Sequence, residues 1–407
     1  MTAPFDAAVT GLGLVTPAGV GVAENWRRVC AGRSTARTDE RLAGDQVDIS
    51  CRVPDFDAER LLGAATARRV DRFVQLALVA AREAVADAGL DPASWDGDRV
   101  AVVIGNSLGG TGTVERQHRR HHEEGDRVVS PLTIPASMSN MVAGHVAIDC
   151  AARGPSLVTA TACASGTTAV GLGRALLRAG QCDLVLAGGA ESALSPTAMA
   201  ALNRMGALSR HGDPGSACRP FDADRDGFVA AEAAGFLVLE RPESAAARGA
   251  RVRARVSGYG SATDAHHPTT PHPRGAGLER SIREALRDAD VPGSAVEHVN
   301  AHGTGTKLND VTEAAVLLRS LGDSAAVTST KGVTGHALAA AGAIEAAYAV
   351  LALETGTVPP TANLARLDPE IGVDVVAGEP RQRRLRTALS TSLGFGGHNA
   401  ALLLTAA

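Results

Sequence analysis

The sequence predicts an α/β protein built from two duplicated halves with largely buried sheets. Short runs of Val, Ile and Leu bounded by glycine alternate with alanine-rich stretches of helical period. This alternation is typical of buried strands connected by helices. Segments of the first half return in the same order in the second. We therefore predict an N-terminal half over residues 1–250 and a C-terminal half over 251–407, packed face to face.

The internal repeat consists of three pairs of similar segments. In one of these pairs, both segments are followed by a predicted strand. Arg82–Leu90 and Arg283–Val291 both read as helix ends, and each precedes an apolar strand. The other two pairs lie at the strands of each half: Ala8–Gly13 with Arg255–Gly260, and Asp226–Glu240 with Gly394–Leu404. A repeat this long indicates a duplicated domain and excludes a solenoid. The first half is longer, mainly between residues 111 and 160 and between 192 and 225.

Composition excludes several classes of protein. The 407 residues are 45% hydrophobic and 21% charged, which are globular values. Forty basic against 44 acidic residues give a net charge of -4, which offers no global field for nucleic acid. Neither a membrane-spanning run nor a signal peptide is recognisable. Six cysteines without a CxxC pair do not form a disulfide framework, so we expect a cytoplasmic protein without a membrane partner.

Cys163 is the candidate nucleophile. It lies in Val158–Gly166, where an apolar strand runs into small residues and then into an alanine- and leucine-rich helix. We expect its sulfur beside the helix N-terminus, where partial positive charge lowers the pKa of a thiol. The small neighbours leave space for a substrate.

Two histidines occupy comparable positions in the second half. His302 directly follows a predicted strand, and His336 directly precedes an alanine-rich helix. Ligands gather at such strand ends and helix starts in α/β folds. Because of the duplication, we expect Cys163 and both histidines to converge on one site between the halves. Gly394–Gly397 reads as a turn whose backbone N–H groups face an oxyanion.

Together these motifs resemble the elongating β-ketoacyl-acyl-carrier-protein synthases of the thiolase superfamily. The resemblance covers essentially the whole chain, and its most specific parts are Thr161–Gly166, Arg225–Phe228, His302–Thr306, Gly335–His336 and Gly394–Gly397. It implies a thiolase-like fold in which two α/β halves form five layers, αβαβα. It also implies an acyltransferase that joins malonyl-acyl-carrier protein to an acyl chain held as a thioester on Cys163, releasing CO2.

The resemblance assigns a role to each matching position. Cys163, His302, His336 and Lys331 would be catalytic, with Phe395 contributing to the oxyanion hole and acting as a gate. Lys331 would pair with Glu313, with Asp310 nearby. The remaining residues it assigns are Thr304 and Thr306 at the phosphopantetheine arm, Leu108, Thr133 and Leu202 in the acyl pocket, and Arg68, Arg69 and Arg127 at the carrier-protein docking surface. It implies no cofactor and no metal.

Alternatives remain at this stage. Departures at Thr133 and Leu202 favour a specialised polyketide or polyene pathway over fatty-acid synthesis. A non-catalytic chain-length-determining subunit would normally lack the nucleophile, which argues against that class. A thiolase acting on coenzyme A esters would need a second catalytic cysteine near the C-terminus, and the last cysteine here is Cys218. The family is dimeric, and both a homodimer and a heterodimer with a ketosynthase-like chain-length factor fit.

Overall fold

The computed structural model describes residues 5–407, which form 15 strands and 14 α-helices. The strands are β1 (Ala7–Thr16), β2 (Gly19–Val20), β3 (Arg37–Thr38), β4 (Ile49–Ser50), β5 (Val100–Gly105), β6 (Ser156–Thr159), β7 (Leu184–Ser192), β8 (Glu232–Glu240), β9 (Ala254–Thr263), β10 (His298–Asn300), β11 (Ala326–Thr328), β12 (Thr357–Val358), β13 (Arg381–Gln382), β14 (Thr387–Gly394) and β15 (His398–Ala406).

The helices are α1 (Val22–Cys30), α2 (Ala58–Leu62), α3 (Ala64–Arg69), α4 (Arg72–Asp87), α5 (Thr111–Glu124), α6 (Thr133–Ser137), α7 (Met141–Asp149), α8 (Ser165–Arg178), α9 (Pro196–Arg204), α10 (Pro242–Ala247), α11 (Ala276–Asp288), α12 (Lys307–Leu321), α13 (Lys331–Thr334) and α14 (Ala341–Thr355). They include four that lie outside the sheets, α4, α7, α11 and α12, and two that lie between them, α8 and α14. Helices α5, α6, α7 and α9 lie in the two segments, 111–160 and 192–225, that lengthen the first half.

The strand order shows the duplication directly. The first half reads β1-β8-β7-β5-β6 and the second reads β9-β15-β14-β10-β11, with the same parallel and antiparallel pairings in each. The two edge strands β1 and β9 also pair over Ala7–Val9, which joins both halves into one 11-stranded sheet. This edge contact was not predicted from the sequence.

Five layers follow from the helix contacts. Helices α8 and α14 pack against each other and against strands of both halves, so they form the central layer. Helices α4 and α7 cover the outer face of the first half, and α11 covers the outer face of the second with α12 packed against it. The predicted αβαβα arrangement is confirmed. The segments predicted to repeat fall on equivalent elements, but the boundary near residue 250 stays a prediction.

Small residues explain how helices and strands come so close. Gly13 on β1 lies against the Ala80 carbonyl of α4, and Gly260 on β9 lies against the Ser281 carbonyl of α11. A Cβ at either glycine would collide with that carbonyl oxygen. Few aromatics and many glycines therefore permit direct backbone contact between layers.

One stretch, Leu338–Thr355, is long and apolar enough by composition to cross a membrane, with a mean hydropathy of 1.4. It contains α14, and 89% of it is buried inside the fold. Its apolar character is explained by its place in the central layer, where it contacts both halves of the sheet.

Candidate active site

A cavity of about 1350 Å³ lies where the two halves meet. Residues of both halves line it, and they include these predicted site residues: Leu108, Cys163, Leu202, His302, Thr304, Thr306, His336 and Phe395. The cavity is therefore assembled from the strand ends and helix starts that the sequence singled out.

Cys163 lies on a tight turn at the base of this cavity. A 3-10 turn over Ala162–Ala164 connects β6 to α8, and Ala162 has a φ of 48°, which is unfavourable for a residue with a Cβ. Ser165 stabilises the turn, since its hydroxyl donates to the Ala162 carbonyl at 2.6 Å and accepts the Thr161 N–H at 2.9 Å. Local strain of this kind is typical of functional sites.

The pKa of Cys163 is shifted in the direction opposite to our expectation. Burial raises it to about 12, and this effect outweighs the field of Lys331 and a hydrogen bond from the Phe395 N–H, which both lower it. The expected lowering of the Cys163 pKa is therefore wrong. A thiol in an apolar environment loses the solvation that its thiolate would need.

His302 lies in the loop between β10 and α12. Its backbone N–H donates to Glu313 at 2.8 Å, and its ring Nδ1 lies 3.4 Å from Lys331 Nζ. An ammonium group is only a donor, so Nδ1 accepts this hydrogen bond and the proton of the neutral ring lies on Nε2. Burial, together with Lys331 and His336, lowers the pKa of His302 well below 6.5. The ring is neutral at neutral pH.

His336 follows α13 and is fixed by its backbone and its ring. Its N–H donates to the Val229 carbonyl at 2.8 Å, and its ring Nδ1 accepts the Leu338 N–H at 3.2 Å. Burial and Lys331 lower the pKa of His336 well below 6.5. With Nδ1 occupied as an acceptor, its proton also lies on Nε2.

The three side chains form one cluster. The Cys163 sulfur and one ring nitrogen of each histidine all lie within 4.8 Å of one another. The two rings meet edge to face, with centroids 5.3 Å apart. Two neutral imidazoles thus present Nε2–H donors beside a nucleophilic sulfur. This is an arrangement that can stabilise a negatively charged oxygen next to Cys163.

The same donor set is one that transition metals accept. Lys331 argues against a cation here, because its ammonium group lies 3.4 Å from the His302 ring. The expectation that no metal takes part stays a prediction.

Lys331 forms its ion pair with a different carboxylate from the one we expected. Its Nζ donates to Glu345 on α14, and both side chains are buried. Burial raises the pKa of Glu345 to about 7, while the charge of Lys331 opposes that rise. Glu313 instead accepts the N–H groups of His302 and Gly303, each at 2.8 Å. The predicted Lys331–Glu313 pair is therefore wrong, and Glu313 orients the His302 loop.

Asp310 lies outside the Lys331–Glu345 ion pair and shares the Asn309 side-chain amide with Glu313. It accepts the Phe221 N–H at 2.9 Å and lies 3.2 Å from Nε of Arg225, whose other amino group binds Asp368. Asp310 therefore joins α12 to the loop before β8, and the structure gives it no contact with Lys331. The family resemblance had implied Asp310 as a member of the Lys331 network.

Most of the other predicted pocket residues line the cavity, and one does not. The Thr304 and Thr306 hydroxyls hydrogen-bond at 2.9 Å on the cavity wall, and the half-exposed Phe395 ring lies at its entrance. Leu108 and Leu202 line the cavity as well. Thr133 does not, since it begins α6 outside the lining and bonds to the Ser130 carbonyl. Thr133 therefore lies outside the cavity lining of the single chain, and its predicted place in the acyl pocket stays a prediction.

Arg68, Arg69 and Arg127 are all exposed on the surface. Arg68 forms an ion pair with Glu59 at 3.0 Å, and both side chains are largely in solvent. None of the three lines the cavity. Their predicted role in docking a carrier protein stays a prediction.

Two buried glutamates were missed by the sequence analysis. Glu345 holds Lys331 against His302, and Glu191 lies near Cys163 on β7. Each could have been found as a single acidic residue inside an otherwise apolar helix or strand. A buried charge at such a position is costly unless it has hydrogen-bond or ion-pair partners.

Comparisons with known proteins agree with this geometry. Family profiles described as "Beta-ketoacyl synthase, N-terminal domain" and "Beta-ketoacyl synthase, C-terminal domain" match residues 5–245 and 253–365. The chain is 39% identical over 408 residues to a "3-oxoacyl-[acyl-carrier-protein] synthase 2" of Staphylococcus aureus (strain MRSA252), covering 99% of each chain.

Solved structures show the same relationship. The ishigamide ketosynthase/chain length factor superposes with a TM-score of 0.93 at 36% identity, over the full length of both chains. A ketosynthase in complex with its type II polyketide synthase acyl-carrier protein gives a TM-score of 0.91 at 32% identity, covering 99% of this chain and 100% of the other. The chain belongs to the β-ketoacyl synthase family.

Proposed function

We propose that this protein catalyses the decarboxylative Claisen condensation of malonyl-acyl-carrier protein with an acyl chain carried on Cys163. The observation that carries the proposal is the cluster of one buried sulfur and one ring nitrogen from each of two histidines, all within 4.8 Å of one another and lining a cavity. This cluster supplies a nucleophile and an oxyanion-binding pair in one place.

In the first half-reaction, Cys163 Sγ attacks the thioester carbonyl of an acyl-carrier protein. The C–S bond to the carrier breaks, the acyl chain forms a thioester with Cys163, and the thiol proton passes to the departing carrier sulfur. The backbone N–H of Phe395, which already donates to Sγ, and the N–H of Cys163 are positioned to receive the oxyanion.

In the second half-reaction, malonyl-carrier protein enters along Thr304 and Thr306. Its thioester oxygen accepts the Nε2–H groups of His302 and His336. Loss of CO2 leaves the electron pair of the broken C–C bond as an enolate, whose charge these donors stabilise. The enolate carbon attacks the acyl thioester, and Sγ leaves and takes up a proton. The reaction balances without a redox cofactor, and the phosphopantetheine arm belongs to the carrier.

Lys331 acts through His302 in this scheme. Its ammonium group holds Nδ1 as an acceptor, and Glu345 holds the ammonium in place. Both histidines therefore stay neutral with their protons directed at the substrate. A non-catalytic subunit would not need this arrangement. A thiolase would need a second cysteine, and the cluster contains only Cys163.

An acidic carrier protein needs a basic landing surface, and we propose Arg68, Arg69 and Arg127, all exposed, for this role. The variant Arg68→Glu/Arg69→Glu/Arg127→Glu is expected to raise the KM for an acyl-carrier protein about tenfold or more. Acylation by a free acyl-pantetheine thioester should change little, because the cavity is untouched. Equal effects on both substrates would contradict docking at this surface.

Dimerisation is supported by an exposed apolar surface at the end of the sheet. Strand β6 is the edge strand of the first half, and Leu157 on it is exposed together with Ile134, Met138 and Ile148. Ile148 is 76% exposed in the single chain, which is unusual for an apolar surface that has no partner. We propose that a second ketosynthase-like chain, either a copy or a chain-length factor, covers this surface. We further propose a cytoplasmic enzyme.

Intact mass after exposure to a panel of acyl-carrier proteins tests the function. The protein should gain the mass of one acyl group, confined to Cys163, either alone or with a partner subunit. The acyl chain that the protein prefers will distinguish a fatty-acid pathway from a polyketide pathway. Leu202, which replaces an aromatic pocket residue, favours the polyketide pathway. The absence of any gain with every carrier and partner would contradict the proposal and favour a non-catalytic subunit.

A further inference from the structure

Glu191 is a buried carboxyl group that the proposed mechanism does not use. It lies near the end of β7 with no exposed surface, and no lysine or arginine of residues 5–407 forms an ion pair with it. Burial raises its pKa to about 7. A buried carboxylate without a cation is costly, so its hydrogen-bond partners must offset much of that cost.

Three of those partners belong to one short segment, and the fourth is the backbone N–H of the neighbouring Ser192. One oxygen of Glu191 accepts the side-chain amide of Asn106 at 3.1 Å, and the other accepts the N–H groups of Ser107 at 3.1 Å and Leu108 at 3.2 Å. Asn106 then closes the segment by accepting the Gly109 N–H at 3.1 Å. Glu191 therefore organises the whole turn that follows β5.

This segment contacts the cavity and the nucleophile at once. Leu108 lines the cavity. The Ser107 hydroxyl lies 3.2 Å from the Ala162 carbonyl and 3.1 Å from the Ser165 hydroxyl, on the turn that carries Cys163. Gly105, at the start of the segment, packs so tightly on the Ser165–Gly166 backbone that a Cβ would collide with it. A shift of this segment would therefore move the cavity wall at Leu108 or the turn that carries Cys163.

We propose that Glu191 is a positioning residue for acyl-chain selection: it fixes the segment 106–109, so that Leu108 forms a stiff wall beside the Cys163 turn. This inference rests on the proposed function, since it requires an acyl chain in the cavity. A chain that reaches Leu108 must displace a segment held by three hydrogen bonds to one carboxylate. The enzyme thereby limits the length or shape of the chain it accepts.

The variant Glu191→Gln tests the proposal with little change of side-chain volume. It replaces one acceptor oxygen by an NH2 group, which cannot accept from a backbone N–H, so at least one bond to the segment is lost. Acetyl transfer to Cys163 should stay within about threefold of wild type. Relative to acetyl, chains longer than the wild-type optimum should gain about tenfold or more, the scale on which pockets discriminate chain length.

A second readout separates positioning from a general structural role. The charge of Glu191 raises the pKa of Cys163, as does that of Glu345, while Lys331 lowers it. Removing only the Glu191 charge should lower the pKa of Cys163 and increase its alkylation by iodoacetamide about threefold above pH ~8, where the wild-type carboxyl group is ionised. The alkylation rate is measured as a function of pH, between about pH 6 and 9, on protein that is still competent in acetyl transfer.

Glu240→Gln provides a matched control. Glu240 is also a buried glutamate at a strand end, but it pairs with Leu184 at the opposite end of β7 and bonds Arg248. It should change neither readout. A second variant, Asn106→Ser, weakens the same segment and leaves Glu191 in place. It should shift the preferred chain length in the same direction as Glu191→Gln. It decides the question if Glu191→Gln does not fold.

The outcomes are distinct. If wild-type protein accepts no acyl group from any carrier, the proposed function fails before the variants are compared. If wild type is acylated but Glu191→Gln and Asn106→Ser keep its chain preference, this inference is wrong and the proposed function stands. A shifted preference with an unchanged Glu240→Gln control supports it.

Discussion

Replacing Cys163 by alanine is expected to lower acyl transfer and condensation by about 10⁴-fold or more, because no covalent intermediate can form. The fold should be retained, since the substitution removes a single sulfur atom from a turn held by Ser165. Intact mass after incubation with acyl-carrier protein, and product formation with malonyl-carrier protein, measure the two steps.

Cys182→Ala is the matched control for this change. Cys182 is another buried free cysteine, and it lies outside the cavity lining. It should retain activity and acyl loading. Acyl transfer that continued in the Cys163→Ala protein at a rate near that of the control would show that the nucleophile lies elsewhere.

Replacing either His302 or His336 by alanine is expected to lower decarboxylation by about 10² to 10³-fold while acylation of Cys163 falls much less. Each histidine contributes one Nε2–H donor to the enolate, and the enolate forms only in the second half-reaction. Carbon dioxide release and acyl loading are measured separately on the same variant, so the first step serves as an internal reference.

His336→Asn gives a graded control, because the asparagine amide can still donate a hydrogen bond. It should retain more decarboxylation than His336→Ala. Equal loss of acylation and decarboxylation in both alanine variants would argue that the histidines maintain the fold of the site and do not act on the enolate.

Local sequence context, together with the family resemblance, identified the reactive cluster. Cys163 follows a strand and precedes a helix, and His302 and His336 lie at comparable places in the second half. Because parallel strands end at one edge of a sheet and the halves are related by duplication, these three residues were expected to meet, and they do. The five-layer fold followed from the same repeat together with the family resemblance.

The partners of the cluster could not be predicted with the same reliability. The family resemblance assigned Glu313 as the partner of Lys331, whereas the actual partner, Glu345, lies inside the alanine-rich helix α14. Which buried carboxylate meets a buried lysine depends on how two helices pack, and periodicity does not specify this.

The pKa of Cys163 shows a second limit. A helix N-terminus and a nearby lysine favour the thiolate, and both are recognisable in the sequence. The extent of burial is not, and in the folded protein it outweighs them.

A single-turnover experiment tests the central claim most directly. Protein carrying an acyl group on Cys163, free of excess acyl donor, is mixed with malonyl-carrier protein, and the masses of protein and carrier are followed with CO2 release. We predict that the acyl mass leaves Cys163 as CO2 appears and that the carrier gains a β-ketoacyl group two carbons longer than the acyl chain. Release of CO2 while the acyl group stays on Cys163, or transfer of the unchanged acyl group to the carrier, would contradict condensation at this site.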